Sequence, residues 1–357
     1  MNRFKSKKMK VLITGNMGYI GPVLVRHLKM THPNIEIVGY DIGYFANCLT
    51  GVDYLPEVLV DKQVFGDVRH FPPDLLEGVD TVINLAAISN DPMGKNYEEI
   101  TYDVNHKACV EIAKMAKRAG VRSFVFASSC SMYGAAEDFP KTEDSSLNPL
   151  TAYAKSKVFS ERDLEPLADS SFVITCLRFA TACGFSQRLR LDLVLNDFVA
   201  GAVASRKLEV LSDGSPWRAL VHVKDMSKAM EWASFRTHEN GGNFLAVNVG
   251  SNSWNYQIKT IAEAVSEIIP DVSLSINKDA PADKRSYKVN FDLFSKLAPN
   301  HQPEFDLVKT VKELESGLTE MNFSDTDFRN SNLIRLKVLN RLQEASLIDS
   351  QLVWKLT

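Results

Sequence analysis

Lys10-Val11-Leu12-Ile13-Thr14-Gly15-Asn16-Met17-Gly18-Tyr19-Ile20-Gly21 reads as a strand, a glycine-rich turn and the start of a helix. Val11 to Ile13 form a short buried strand. Behind the turn, Ile20, Val23, Leu24 and Leu28 recur at helical spacing. Gly15 lets the chain leave the strand sharply, Gly18 lets the backbone approach a pyrophosphate, and Gly21 lets the helix pack closely. A helix N-terminus placed there offers free N–H groups and partial positive charge to phosphate. A second strand, Ile35 to Tyr40, ends in Asp41, twenty residues past Gly21, where a carboxylate meets a ribose hydroxyl in dinucleotide-binding folds. The stretch therefore predicts dinucleotide binding.

Strand and helix patterns alternate from there. Strands are expected at Val64 to Gly66, Thr81 to Leu85, Ser123 to Ala127 and Phe172 to Leu177. Helices are expected at about Tyr97 to Ala119, with Ile100, Val104, Ala108, Ile112, Met115 and Ala116 on one face, and at about Leu150 to Leu167. The alternation predicts an α/β fold of Rossmann type, a doubly wound parallel sheet with ligands at the carboxyl ends of its strands. After Arg178 the pattern loosens. Helices are read at Leu191 to Ala204, Val223 to Phe235, Trp254 to Ile269 and around Leu333, Leu336, Leu339 and Leu342, with strands at Leu208 to Leu211 and Phe244 to Val249. With no low-complexity linker, a smaller α/β substrate domain is expected to interleave with the first. Residues 1–178 and about 222–250 would bind the dinucleotide, and residues 179–221 and 251–357 the substrate.

Composition excludes several classes. The 357 residues are 45% hydrophobic and 24% charged, with a net charge of −3, which favours neither nucleic acid nor a membrane surface. The basic run Arg3, Lys5, Lys7, Lys8 and Lys10 precedes an apolar stretch far too short for a signal peptide and reads as a solvated tail. Cys48, Cys109, Cys130, Cys176 and Cys183 form no C-x-x-C pair and read as reduced thiols, so a cytoplasmic protein is expected. The seven histidines show no metal-ligand spacing, and no metal is expected.

The chemistry lies in two segments. Ala127-Ser128-Ser129-Cys130-Ser131-Met132-Tyr133-Gly134 ends the fifth strand, and Tyr153-Ala154-Lys155-Ser156-Lys157 opens the next helix. Tyr153 and Lys157 are four apart and share a helix face. Oxidising a secondary alcohol needs a base for its proton, and a phenol with a pKa near 10 is too weak at neutral pH. A neighbouring ammonium favours the phenolate. Lys157 would also hold the nicotinamide ribose, and Ser129 would hydrogen-bond the reacting oxygen.

On these residues the chain resembles the extended short-chain dehydrogenase/reductases, and within them the NAD-dependent nucleotide-sugar epimerase/dehydratase family typified by UDP-galactose 4-epimerase. The resemblance runs from Val11 to about Leu293. It takes in Gly15/Gly18/Gly21, Asp41, Asp67, Asn84-Leu85-Ala86-Ala87, Ser128-Ser129 before Met132-Tyr133-Gly134, Tyr153/Lys157, and Trp217-Arg218 before His222-Val223-Lys224-Asp225. It implies an NAD site formed by Gly15, Asn16, Met17, Gly18, Tyr19, Ile20, Gly21, Asp41, Asp67, Val68, Leu85, Ala86, Ala87, Tyr153 and Lys157. It implies a nucleotide-diphosphate-sugar site with Ser131, Asn196, Arg218 and Arg285, and catalysis by Tyr153, Lys157 and Ser129. Arg188 and Arg190 are read either as phosphate contacts or as solvated charges. A homodimer is implied, with the outer faces of the two long helices paired through residues such as Ala113 and Val158.

Two departures shape the expected reaction. Dehydratases of the family carry acidic residues just after the catalytic serine or threonine, where this chain has Cys130 and Ser131. The 4-epimerases carry an asparagine after the Arg-aromatic pair, where this chain has Ala180-Thr181. The expectation is an epimerase acting through a sugar hydroxyl, at C4 by resemblance. The alternatives are a dehydrogenase/reductase or dehydratase of the same family, or a non-catalytic NAD(P)-sensing regulator, a class that typically lacks the tyrosine–lysine pair.

Overall fold

The computed structural model describes residues 8–135, 139–277, 279–280 and 286–355. Most of the basic N-terminal run, and Arg285, lie outside them. In chain order the strands are β1 (Lys10–Thr14), β2 (Glu36–Asp41), β3 (Lys62–Phe65), β4 (Thr81–Asn84), β5 (Ser123–Ser129) and β6 (Val173–Phe179). They continue with β7 (Thr181–Cys183), β8 (Lys207–Val210), β9 (Trp217–His222), β10 (Phe244–Val249), β11 (Asn255–Gln257) and β12 (Ser273–Ile276). Seven of them form one parallel sheet in the order β3-β2-β1-β4-β5-β6-β10. The order reverses between β1 and β4, which opens a crevice at their carboxyl ends.

The first helices are α1 (Gly21–Thr31), α2 (Asp91–Asn96), α3 (Glu98–Tyr102), α4 (Cys109–Arg118), α5 (Ala152–Leu164), α6 (Val194–Ser205) and α7 (Val223–Phe235). After them come α8 (Ile258–Ile268), α9 (Asp292–Leu297), α10 (Leu307–Glu320) and α11 (Arg335–Glu344). Alternation along β1 sends Val11 and Ile13 to one face of the sheet and Leu12 to the other. Leu24 and Leu28 of α1 and Met226 and Met230 of α7 cover the first face, and Ile112, Ala113 and Ala116 of α4 and Leu164 of α5 cover the second. Ala113 is fully buried there. It is therefore not available to a dimer contact, in contrast to the sequence expectation.

A second layer gathers α6, α8 and α10 over the strand set β11-β9-β7 and the parallel pair β8-β12. The sequence reading missed α10, although Asp306 caps it and Leu307, Val311, Leu314 and Leu318 give it an apolar stripe. The helix expected from Trp254 begins only at Ile258, because Asn255–Gln257 pair with β9 instead. The helix expected over Tyr97 to Ala119 is divided into α3, a π turn at Asp103–Ala108, and α4. The turn presents Asn105, which is buried and exchanges two hydrogen bonds with the Ile88 backbone, at 2.8 and 3.0 Å. Interrupting the helical ladder gives this side chain its reach.

Candidate active site

Gly15 stands at φ +73°, and a Cβ on it would lie 2.5 Å from the backbone nitrogen of Ala86. A Cβ on Gly21 would lie 1.9 Å from the carbonyl oxygen of Asn16. Both positions admit glycine alone, and the resulting tight loop delivers the N-terminus of α1 to the crevice. Gly15, Gly18, Tyr19, Ile20, Asp41, Asp67, Val68, Leu85, Ala86 and Ala87 line one cleft there. Asn16 and Met17 brace the loop from behind. The Asn16 side chain bonds to Gln63 at 2.7 Å, and the Met17 N–H donates to Asp41 Oδ2 at 2.9 Å. Asp41 also accepts from the Gly43 N–H at 2.7 Å. Burial raises its pKa, and the two amides offset part of that rise. Asp67 caps the turn after β3, and its carboxylate is engaged by the guanidinium of Arg69 at 2.5 Å. The cradle, the helix terminus and the carboxylate at the end of β2 together fit a dinucleotide.

A second cleft continues from the first through Tyr19, Ile20, Leu85, Ala87, Ser89 and Arg190. Ser129, Ser131, Tyr153, Lys157 and Arg218 line it, along with Asp91, Asp192, Thr181 and Tyr287. Ser129 ends β5 and caps the turn Cys130–Tyr133, accepting from the Ser131 N–H at 3.2 Å. Thr151 caps α5 and so places Tyr153 in the first turn of that helix and Lys157 one turn later. The Ser129 hydroxyl hydrogen-bonds the Tyr153 phenol. Lys157 is buried, donates to the Ala127 carbonyl at 2.7 Å, and lies 5.5 Å from the centroid of the Tyr153 ring. Burial pulls Lys157 down to about 8. Burial also raises the Tyr153 phenol, with the Ser129 hydrogen bond offsetting part of the rise.

Other residues depart from the sequence expectations. Asn196 does not face the sugar cleft. It is fully buried, accepts from the Gly184 N–H at 3.0 Å and donates to the Arg190 carbonyl at 2.9 Å. Arg188 reaches no phosphate position and is neither solvated nor free. It is fully buried against Glu57, at 2.5 Å. Arg190 sits at the junction of the two clefts, held by Asp192 at 2.9 Å and Ser89 at 3.0 Å. The Cys130 thiol turns inward to the Arg178 carbonyl at 3.1 Å, so of the two positions after Ser129 only Ser131 lines the cleft.

Two contributors to the site went unread in the sequence: Asn105 and Asp91. Asn105 also donates to Ser156 Oγ at 3.1 Å, beside Lys157, and so ties the loop after β4 to α5. A polar residue among the apolar positions of that helix was its one signal. Asp91 accepts from the Thr151 hydroxyl at 2.6 Å, and Asn90 donates to Asp192 at 2.6 Å. Asp91 belongs to no motif. Among the described residues no group of three or more His, Cys, Asp or Glu side chains is placed to hold a metal ion, and no helix is long and apolar enough to cross a membrane.

A glycine cradle at the switch point of a parallel sheet, continuous with a Ser-Tyr-Lys cleft, defines a dinucleotide-dependent oxidoreductase fold of the short-chain dehydrogenase type. Residues 11–250 match the NAD dependent epimerase/dehydratase family, and the chain belongs to that family of enzymes. Its cofactor is NAD. The chain is 27% identical over 274 residues to the uncharacterized UDP-glucose epimerase YtcB of Bacillus subtilis, a match covering 74% of this chain and 82% of that one. It is 26% identical over 296 residues to UDP-glucuronic acid decarboxylase 6 of Arabidopsis thaliana, covering 80% and 82%. Among solved structures, MoeE5 in complex with UDP-glucuronic acid and NAD superposes with a TM-score of 0.73 at 22% identity, covering 87% of this chain and 99% of that one.

Proposed function

We propose that this chain is an NAD-dependent epimerase of a nucleotide-diphosphate sugar, inverting one carbinol carbon, at C4 by family resemblance. The observation that carries the reading is the convergence of Ser129, Tyr153 and Lys157 in a cleft continuous with the glycine cradle. Relatives named as UDP-sugar epimerases and decarboxylases support the substrate class.

NAD, when bound, supplies the hydride acceptor and donor. Tyr153, as phenolate, takes the proton of the sugar hydroxyl and later returns it. Ser129 hydrogen-bonds the same oxygen and stabilises its developing charge. Lys157, while protonated, favours the phenolate and holds the nicotinamide ribose. Asp41 accepts from the adenosine ribose hydroxyls. Arg218, on β9, faces the diphosphate of the substrate. No carboxylate follows Ser129 in its own loop, where Cys130 and Ser131 stand, and this favours return of the hydride to a ketone held in the cleft.

A second reading, a dehydratase or decarboxylase, is favoured by one observation: Asp91 and Asp192 bring carboxylates into the cleft from outside the Ser129 loop. A panel of nucleotide sugars incubated in deuterated water with the enzyme carrying oxidised NAD separates the two. Epimerisation gives an inverted product of unchanged mass apart from label. A product lighter by water or by carbon dioxide overturns it in favour of the second reading. The Tyr153→Phe variant tests catalysis itself: cellular function unaltered in that variant would sink the enzymatic role and support a sensor.

A further inference from the structure

The family match ends at residue 250, yet the C-terminal segment returns to the cofactor cleft. Leu339 of α11, with Ile348 and Leu352 beyond it, buries itself against Ile88, Met93 and Ile100, around the loop that follows β4. The segment then closes on itself through a bridge between Ile348 and Trp354, and Asp349 accepts from the N–H groups of Gln351 and Val353 at 2.8 Å each. It is a built turn with an apolar base.

Three hydrogen bonds join this turn to the rim of the glycine-cradle cleft. Trp354 Nε1 donates to the Ile42 carbonyl at 2.8 Å, and the Tyr44 hydroxyl donates to the Leu352 carbonyl. Arg69 Nη1 donates to the Gln351 carbonyl at 2.8 Å. Ile42 and Tyr44 follow Asp41, and Arg69 grips Asp67, so the contacts fall on the two segments read as the adenosine end of the site. Arg335, Leu339 and Leu352 line the same cleft as Gly18, Asp41 and Asp67. Leu352 stands at φ +57°, a left-handed conformation that leucine rarely adopts and that the surrounding contacts must hold in place.

We propose that residues 335–355 form the outer wall of the adenosine half of the NAD site, and that this strap retains NAD as a resident group through turnover. Leu339 and Leu352 offer apolar surface to the adenine ring. The three hydrogen bonds tie the wall to both segments flanking it, so the adenosine end leaves only when the strap lifts. The inference deepens the epimerase reading and rests on it for one consequence. A dinucleotide that exchanges slowly suits chemistry that returns its hydride within each turnover, and does not suit a dehydrogenase that must renew NAD after every cycle.

The test compares the full chain with Trp354→Phe, which keeps the ring and deletes its N–H, and with Tyr44→Phe. Bound nucleotide is released by denaturation after gel filtration and quantified, and the dissociation rate is followed by chasing labelled NAD with excess unlabelled NAD. The expected result is that the wild type retains NAD through gel filtration and that both variants, at unchanged melting temperature, release it at least fivefold faster. Release rates within twofold of wild type in both variants overturn the strap and leave the epimerase reading intact. Conversely, slow, variant-sensitive release combined with a product lighter by water or carbon dioxide in the nucleotide-sugar panel keeps the strap and removes the epimerase reading.

Discussion

Lys157 Nζ lies 5.5 Å from the centre of the Tyr153 ring, held by its hydrogen bond to the Ala127 carbonyl rather than by the phenol. Its influence on Tyr153 is therefore that of a nearby charge, and that charge depends on pH. Burial lowers Lys157 to about 8, so the ammonium persists below that pH and is lost as pH rises through it, well before an exposed lysine would titrate. The alkaline limb of kcat/KM for the wild type is expected to fall near pH 8. A profile flat to pH 10 would show that the charge of Lys157 does not assist the base.

Ser129 hydrogen-bonds the Tyr153 phenol, which favours the phenolate, and stands at the carboxyl end of β5. Ser129→Ala is expected to lower turnover by about 10²-fold, the loss seen when one oxyanion donor is removed. No 4-keto-6-deoxy product is expected from the wild type. Its appearance, detected as loss of one water by mass spectrometry, would assign the acid to Asp91 or Asp192.

Asp41 is buried with its carboxylate fixed by the N–H groups of Met17 and Gly43. A 2′-phosphate placed beside it meets a like charge that cannot swing away. NADP is expected to bind about tenfold or more weakly than NAD in calorimetric titration. Equal affinities would defeat the assignment of Asp41 to the ribose.

Glu231 on α7 bridges two histidines, His27 at 2.6 Å and His32 at 2.7 Å, clamping that helix to α1. Burial disfavours its ionisation, but the two hydrogen bonds outweigh this and hold the carboxyl at about 2. A depressed carboxylate stabilises the fold above its unfolded pKa, near 4.3, and that contribution is lost as pH falls towards 2. Glu231→Gln is expected to cost about 2 kcal/mol at neutral pH. In urea unfolding, the gap to wild type should close between pH 4.5 and 2. A gap that stays constant over that range would show that ionisation of Glu231 contributes nothing.

Phe159 lies half-buried on the outer side of α5, stacked on Tyr102 with ring centroids 5.9 Å apart and covered by the guanidinium of Arg162 at 5.2 Å. An aromatic group on the outer face of α5 suits a two-fold contact between copies of this chain, and Ala113 does not contribute to it. Light scattering at micromolar concentration is expected to show a dimer that Phe159→Asp converts to monomer. A monomeric wild type contradicts this.

Local regularities carried much of this protein in its sequence. The period of two in β1, the helical spacing of α1 and α7, the glycines of the turn and the four-residue interval from Tyr153 to Lys157 are all set within one or two turns of chain. Backbone geometry alone makes them readable, and the parallel sheet and the Ser129–Tyr153–Lys157 cleft follow from them. The tertiary structure decided what depends on neighbours remote in sequence. Asn196 turned from a substrate position to a buried clamp because Gly184 and Arg190 meet it there. The π turn at Asp103–Ala108 exists to bring Asn105 to Ile88. Trp354 reaches Ile42 across 312 residues, and Tyr44 reaches Leu352 across 308. No periodicity encodes such pairings, because the hydrogen bond that fixes each one forms only once the rest of the chain has brought the partners together.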